Sequence, residues 1–451
     1  MAANSREDLR TPGVRSQAAM VSLVRRLAGH SVTRNTLALY GIQFTGYVIP
    51  LLTLPYLARV LHAQEFGLLL FSQSFAVWAS ITIEYGFNLY AAREVAQNRG
   101  NREALAGTAA GVLGAKLILL SGFIVIISVV GLTVENFRQH PNYFVWAILQ
   151  ALAFGFSPFW YFQGIERMVG AVLVEFIARL AATGAIFFLV RAPQDGWKAL
   201  AALAAAGWAM LLIQMLWMYG ELGFRRPRRI DSVRTLRLGW DMFLFRGAFN
   251  IYSSANAFIL GLFVPAVQVG YYGGAERIAR AVQGLTGPFT SAIYPHMSRL
   301  ASENAPKATR LAGYTLPLAG AAGFVLAGVL ALFASRLVLL ILGRDYESSV
   351  RVLYVFALIV PLNAVNDALI MQWMLPRGME RIVGTVTVGA IVINVISASV
   401  LAPLFAYIGM AWAILIAETC KLTALIAILL RRDLIPGSIF RESKSPSIEL
   451  S

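Results

Sequence analysis

Residues 172–190 read VLVEFIARLAATGAIFFLV. The stretch is apolar and long enough to cross a bilayer, for which a helix needs about 17 to 25 residues. It nevertheless carries Glu175 and Arg179 one helical turn apart, although a charge at the centre of a membrane helix costs about 2.5 to 3.5 kcal/mol even on the lenient insertion scale. On a helix, positions 175, 178, 179, 182 and 186 share one face, while Leu173, Ile177, Leu180 and Phe187 line the other. The charged face is expected to look into a helix bundle and the apolar face into lipid. With a start near residue 168, a rise of about 1.5 Å per residue puts Arg179 roughly 16 Å deep, near the midplane.

The rest of the chain is built the same way. Of 451 residues, 58% are hydrophobic and 14% charged, against roughly 45 to 50% and 25% in ordinary soluble domains. This is the composition of a polytopic membrane protein. About twelve runs reach spanning length, so the expected fold is all-α, with about twelve transmembrane helices in two six-helix lobes around a central cavity. The most basic connection, GFRRPRRIDSVRTLR (223–237), lies close to the middle of the chain. Residues 224–237 are therefore read as a linker between an N-terminal lobe (34–223) and a C-terminal lobe (238–431), flanked by tails at 1–33 and 432–451. A faint repeat supports the division: LHAQEFGLL (61–69) follows the first run and VPAVQVGYY (264–272) follows the seventh, with Ala63/Ala266 and Gly67/Gly270 matching. Both segments are expected to form the same tight outer turn. An even number of spans puts both termini on one side, and the Lys and Arg content of that side's connections makes it the cytoplasm.

Several function classes drop out. The net charge of +15 resides mostly in connections between apolar runs, which argues against a nucleic-acid surface. Residues 1–33 are polar and Arg-rich without a cleavable apolar core, and read as a retained tail, not a signal peptide. One cysteine, Cys420, excludes an intramolecular disulfide framework. His30, His62, His140 and His296 are too scattered for a metal site. No Gly-rich phosphate loop is present, and no outer connection is long enough for a catalytic domain. Neither a metal, a cofactor nor an enzyme activity is expected.

Polar residues within the spans must then carry the function. Lys116 falls about eleven residues into the third run, again roughly 16 Å deep, with no acid within a turn. Arg246 opens a stripe on the seventh run that continues through Asn250 and Ser253. The eighth run, VGYYGGAERIARAVQGLTGPFTSAIYP (269–295), places Glu276, Arg280 and Gln283 on one face with Arg277 beside them. Five deep cations, Lys116, Arg179, Arg246, Arg277 and Arg280, thus face two acids, Glu175 and Glu276. Unpaired charges are too costly for a dry bundle, so the pattern points to a water-filled cavity that receives an anion. Glu175, Asn250, Ser253, Glu276 and Gln283 are its further polar lining. For Glu175 and Arg179 alone, an intrahelical pair that merely joins two helices is an equal reading. Glu84, Asp241 and Asp367 lie nearer the cytoplasmic side and suit either a gate or coupling to H+ or Na+. Glu418 and Lys421, three apart in the last run, read as structural neutralisation. Pro50, Pro55, Pro158, Pro288, Pro317 and Pro361 interrupt their runs and are expected to kink them.

Two N-terminal stretches, LALYGIQFTGYVIPLLTLPYLARVLHAQEFGLLLFSQSF and EYGFNLYAAREVAQNRG, resemble the first two spans of polysaccharide-exporting flippases. These form the O-antigen (Wzx-type) group of the multidrug/oligosaccharidyl-lipid/polysaccharide superfamily. The likeness continues in FWYFQGIERM (159–168), LILGRDYESSV (340–350) and APLFAYIGMAWAILIAE (402–418). Two departures stand out: His62 occupies a turn position where glycine is expected, and Glu84 stands where aspartate is usual before YGFN. The resemblance implies a bacterial inner-membrane protein that moves an undecaprenyl-diphosphate-linked oligosaccharide, an O-antigen or exopolysaccharide repeat unit, from the cytoplasmic to the periplasmic leaflet by alternating access. It makes Lys116, Arg179, Arg246, Arg277 and Arg280 candidate contacts to the diphosphate or to acidic sugars. Membrane lipid, a glycan polymerase and chain-length proteins are the further expected partners. The rival readings are a peptidoglycan-precursor flippase or multidrug exporter of the same superfamily, and a membrane glycan polymerase. A cationic lumen argues against cationic drugs, and the short outer loops argue against the polymerase.

Overall fold

The computed structural model describes residues 31–240, 255–432 and 434, with backbone alone for 31–50, 288–289 and 291–292. Among the described residues all regular structure is helical. The first described element is α1 (Ser31–Glu84), whose two arms are the first and second spans and meet at His62, where φ is 53° and ψ 175°. A left-handed φ costs a non-glycine residue about 1 to 2 kcal/mol, so this turn does demand the conformation that glycine adopts freely. His62 holds it while its Nδ1 meets Asp345 Oδ2. The expected outer turn is therefore one residue long, and 63–69 is already the start of the second span.

The N-terminal half continues with α2 (Phe87–Gln97), α3 (Arg102–Thr133), the short α4 (Glu135–Gln139), α5 (Pro141–Gly155), α6 (Phe159–Gly164), α7 (Met168–Leu189) and α8 (Gly196–Leu222). Pro158 splits the fourth span into α5 and α6. The basic connection is only partly a loop, because α9 covers 229–240. In the C-terminal half come α10 (Asn256–Gly261), α11 (Ala266–Gln283), α12 (Gly287–Glu303), α13 (Ala305–Leu332), α14 (Ala334–Ile341), α15 (Ser349–Ala368) with a π-helical continuation (Leu369–Met374), and α16 (Glu380–Arg431). The last bends at Ala406, φ 53°, as α1 bends at His62. Pro288 follows the break between α11 and α12, whereas Pro317 and Pro361 are carried inside α13 and α15. Taking the arms of α1 and α16 separately and joining the split spans accords with about twelve crossings, of which the seventh is described only from α10 onward. Eight described helical stretches are long and apolar enough to cross a membrane, two of them double.

Among the described residues, apolar packing falls into three cores. One is shared by both halves at the end marked by His62, and includes Phe66, Phe71 and Phe75 of α1, Phe137 of α4, Phe258 of α10 and Tyr272 of α11. The other two lie at the opposite end, where α9 is found, and each belongs mainly to one half. Phe87, Trp160, Phe162 and Met218 anchor the N-terminal core; Met297, Trp373, Met374 and Leu425 anchor the C-terminal core. The halves are thus clamped together at one end and packed separately at the linker end.

Backbone contact makes the clamp. A Cβ on Gly67 would lie 1.8 Å from the carbonyl oxygen of Ala266, and one on Gly270 would lie 2.2 Å from that of Ala63. The two matched pairs of the faint repeat therefore touch each other reciprocally, as residues about a two-fold axis do. Small residues four apart on each helix are what permits so close a crossing. Around this point the rings of Phe71 and Phe75 lie 5.2 Å from that of Phe258, and 4.8 Å and 5.2 Å from that of Phe137. Ser74 Oγ accepts the Phe258 N–H (3.1 Å), Asn136 donates to the Gly261 carbonyl (3.0 Å), and the Tyr346 hydroxyl donates to the Ala58 carbonyl (3.0 Å).

Candidate functional site

From the clamp, α1 and α11 run side by side as far as Arg277. Arg277 Nη2 donates to Gln73 Oε1 in the opposite half at 2.6 Å, and its guanidinium lies over the Phe66 ring, 5.7 Å from the centroid. One turn further, Arg280 pairs with Glu276, Nη2 to Oε1 at 2.9 Å. Glu276 also accepts the Tyr272 hydroxyl at 3.0 Å. The Arg280 side chain is 44% exposed and that of Glu276 12%, so Arg280 is the member of this cluster that reaches open space. Gln283 ends α11 one turn later. Among the described residues, two cations and one carboxylate make this cluster net positive.

Lys116 sits elsewhere. Its side chain is 2% exposed, and Nζ donates to the Ser157 carbonyl at 3.2 Å. That carbonyl lies at the break made by Pro158, where the end of α5 presents unpaired carbonyls and the negative end of its dipole. Ser157 Oγ donates to Gln214 Oε1 (3.4 Å) and Gln214 Nε2 to the Ala171 carbonyl (3.3 Å), extending the network across the N-terminal half. Lys116 is therefore a buried cap on a broken span. It is also shallower than its position in the run suggests. A Cβ on Gly114 would meet Ser232 Oγ of α9 at 2.0 Å, and the exposed apolar face of α3 begins only at Leu117. With 32 residues, α3 is about 48 Å long, well beyond a hydrocarbon core of about 30 Å, and its first turns extend past it. Glu84, an electrostatic neighbour of Lys116, ends α1 at the same level. Its carboxylate accepts the N–H groups of Gly86 (3.3 Å) and Asn88 (2.8 Å), capping α2.

Arg179 and Glu175 form the intrahelical pair, Nη2 to Oε1 at 2.6 Å and Nε to Oε1 at 3.0 Å. Ala182 and Ile186 on their face are buried, while Leu173, Ile177, Leu180 and Phe187 opposite are exposed, as the periodicity requires. In the C-terminal half, Asp367 is exposed. Beside it Lys421 and Glu418 pair at 2.5 Å, 9% and 4% exposed, and Asn366 donates to Glu418 Oε2 at 2.9 Å. Asn366, Gln372 and Asn394, which a count of charges passes over, each keep a buried polar side-chain atom without a protein partner. Arg246, Asn250, Ser253 and Asp241 lie outside the described residues. The structure thus joins Glu276, Arg277 and Arg280 in one cluster and holds Lys116 and Arg179 by separate partners.

The sequence model of the family described as "Polysaccharide biosynthesis protein" matches residues 32–301. The chain is 28% identical over 408 residues to the "Putative O-antigen transporter" of Escherichia coli (strain K12), covering 89% of this chain and 97% of that protein. The protein of the same name from Shigella dysenteriae is 25% identical over 394 residues, covering 85% and 95%. Among solved structures, the fold is similar to "Lipid II flippase MurJ, inward closed conformation", with a TM-score of 0.62, 12% identity and coverage of 87% and 86%. It is also similar to "Inward-facing conformation of a multidrug resistance MATE family transporter of the MOP superfamily", with a TM-score of 0.60, 14% identity and coverage of 88% and 100%. An all-helical polytopic chain matched along more than half its length by one family model leaves a single conclusion: this protein belongs to the polysaccharide biosynthesis protein family, that of the Wzx-type flippases its sequence resembles.

Proposed function

We propose that the protein moves an undecaprenyl-diphosphate-linked oligosaccharide from the cytoplasmic to the periplasmic leaflet of the bacterial inner membrane by alternating access. The linker end then faces the cytoplasm together with both termini, as the arginines at 225, 226, 228, 229, 234 and 237 favour. One observation carries this reading. Among the described residues the halves share a core at the clamped end and keep separate cores at the linker end, an arrangement that would leave a cleft running up to Arg277 and Arg280.

Stripping water from a sugar hydroxyl costs about 2 to 7 kcal/mol when no partner replaces it. A wet cleft supplies that replacement. Arg280, and Arg179 in the other half, would hold the diphosphate by charge-assisted hydrogen bonds, after which the halves rock, the clamp opens and the linker end closes. An interior-negative potential favours outward movement of an anion by about 2.3 kcal/mol per charge per 100 mV, so about 4.6 kcal/mol for two charges. Coupling to H+ or Na+ through Asp367, Glu84 or Asp241 is an addition to this driving force. A glycan polymerase and chain-length proteins would receive the product. In cells, Arg280→Gln and Arg179→Gln are expected to abolish surface polysaccharide while membrane insertion is unchanged. Normal polysaccharide in both variants overturns the anion-cleft assignment.

A further inference from the structure

Beyond Gln283 the character of the surface changes within two turns. A cavity of about 600 Å3 opens between the start of α12, the middle of α13 and Ala364 of α15. Leu285, Thr286, Leu318, Ala322 and Val325 line it. The sequence explains the space: LAGAAG (318–323) places a run of small residues on α13, and the break at 284–286 draws the start of α12 away from α11. Its lining is also almost wholly apolar. Its two hydroxyls turn back on their own helix, Thr286 Oγ1 donating to the Gln283 carbonyl at 2.8 Å and Thr290 Oγ1 to the Thr286 carbonyl at 3.3 Å. Leu285, Leu318 and Val325 are 67%, 56% and 66% exposed at its mouth.

A single stretch of chain therefore runs from a net-positive cluster (Glu276, Arg277, Arg280) through an amide (Gln283) to a hydrocarbon-lined cavity. This is the complement of one amphiphile with an anionic head and an apolar chain. Resting on the reading above, we propose that the cavity binds the isoprenoid chain of the carrier lipid at its diphosphate-proximal end, while the diphosphate sits near Arg280. The bilayer is as apolar as the cavity walls, so the chain gains little hydrophobic energy by entering. What it gains is shape-dependent contact with fixed side chains. The cavity accordingly sets which lipid is engaged and where its head lies, and does so with modest affinity.

The test uses the full-length protein in phospholipid nanodiscs with two diazirine-bearing probes, farnesyl diphosphate and farnesol, and mass-spectrometric mapping of the labelled residues. Labelling by both probes is expected within 285–290 and 318–326. Ala322→Trp or Val325→Phe, which fill the cavity, should each lower it about tenfold, equivalent to about 1.4 kcal/mol. Arg280→Gln should remove the advantage of the diphosphate over the alcohol and leave farnesol labelling intact. If that advantage persists, the headgroup reading fails and the cavity assignment stands. Labelling confined to other segments, or unchanged in both filled variants, overturns the proposal. So does equal labelling by a diazirine-bearing palmitoyl phosphatidylethanolamine, which would make the cavity an ordinary part of the lipid boundary.

Discussion

Gly67→Ala should unlatch the clamp. The added methyl would lie 1.8 Å from the Ala266 carbonyl oxygen, 2.6 Å from its carbon and 2.9 Å from the Gly270 nitrogen. All three are backbone atoms, so no side chain can swing aside. Restoring ordinary contact requires α1 and α11 to separate by about 1.5 Å, a strain of the size that overpacked cores pay for with about 1 to 3 kcal/mol. The strain exists only while the halves are clamped. A change of about 2 kcal/mol shifts a two-state population about 30-fold, and Gly270→Ala, with its contact at 2.2 Å, should act alike. The two sites share one contact, so the double variant should fall well short of the sum. Ser74 reports on the change, being 7% exposed and bonded across the seam to Phe258. In a Cys420→Ser background, Ser74→Cys should be protected from an impermeant thiol reagent applied at the clamped end. Adding Gly67→Ala should speed its labelling about tenfold or more, again through a shift of at least 1.4 kcal/mol. Gly328→Ala controls for the gain in helix propensity, because nothing lies within 4 Å of its Cβ position. Unchanged labelling in Gly67→Ala, with the protein inserted, refutes the clamp.

Further outcomes follow from individual contacts. Removing one partner of the buried Glu418–Lys421 pair strands the other, so Lys421→Met should destabilise by about 3 to 5 kcal/mol, and adding Glu418→Gln should recover part of it; thermal unfolding in detergent reads both. Glu84→Ala should cost about 1 kcal/mol as a lost helix cap, with Glu84→Gln milder. A Glu84→Gln protein of normal stability that no longer transports would show ion coupling to be its main role. In the loop at the linker end, the Arg99 guanidinium holds the Glu166 carboxyl below its ordinary value of 4.5. Its contribution to stability is therefore present at neutral pH and lost as pH falls through the lowered midpoint. Arg99→Gln should move that midpoint up in an NMR titration of labelled glutamate, and an unmoved midpoint would exclude the pair.

Much of this architecture is legible in the sequence because lipid enforces it. The exposed face of Leu173, Ile177, Leu180 and Phe187 and the buried positions Ala182 and Ile186 follow from helical periodicity alone. The two matched pairs, 63/266 and 67/270, supported the division into halves; that they also form the seam, where only small residues let backbones touch, is what the structure adds. The tight turn at His62 was expected, but neither histidine nor alanine reveals that this bend and the one at Ala406 are each a single residue long. Lys116 looked unpartnered because its partner is a backbone carbonyl, and carbonyls leave no letter in a sequence; Pro158 was the available clue. Its depth was overestimated because α3 outruns the bilayer. Arg277 was set against acids when its partner is an amide, Gln73, across the seam. The same attention to charge alone passed over Asn366, Gln372 and Asn394, whose presence in apolar runs was the signal.

The aromatic packing at the clamp also has an electrical meaning. Where a conducting aqueous cleft penetrates the bilayer from one side, the transmembrane voltage no longer falls evenly across about 30 Å of hydrocarbon; it falls across the remaining insulator, here the rings of Phe71, Phe75, Phe137 and Phe258. A bound anion near Arg280 would sense almost none of the field until that plug parts, and nearly all of it in the single step when it does.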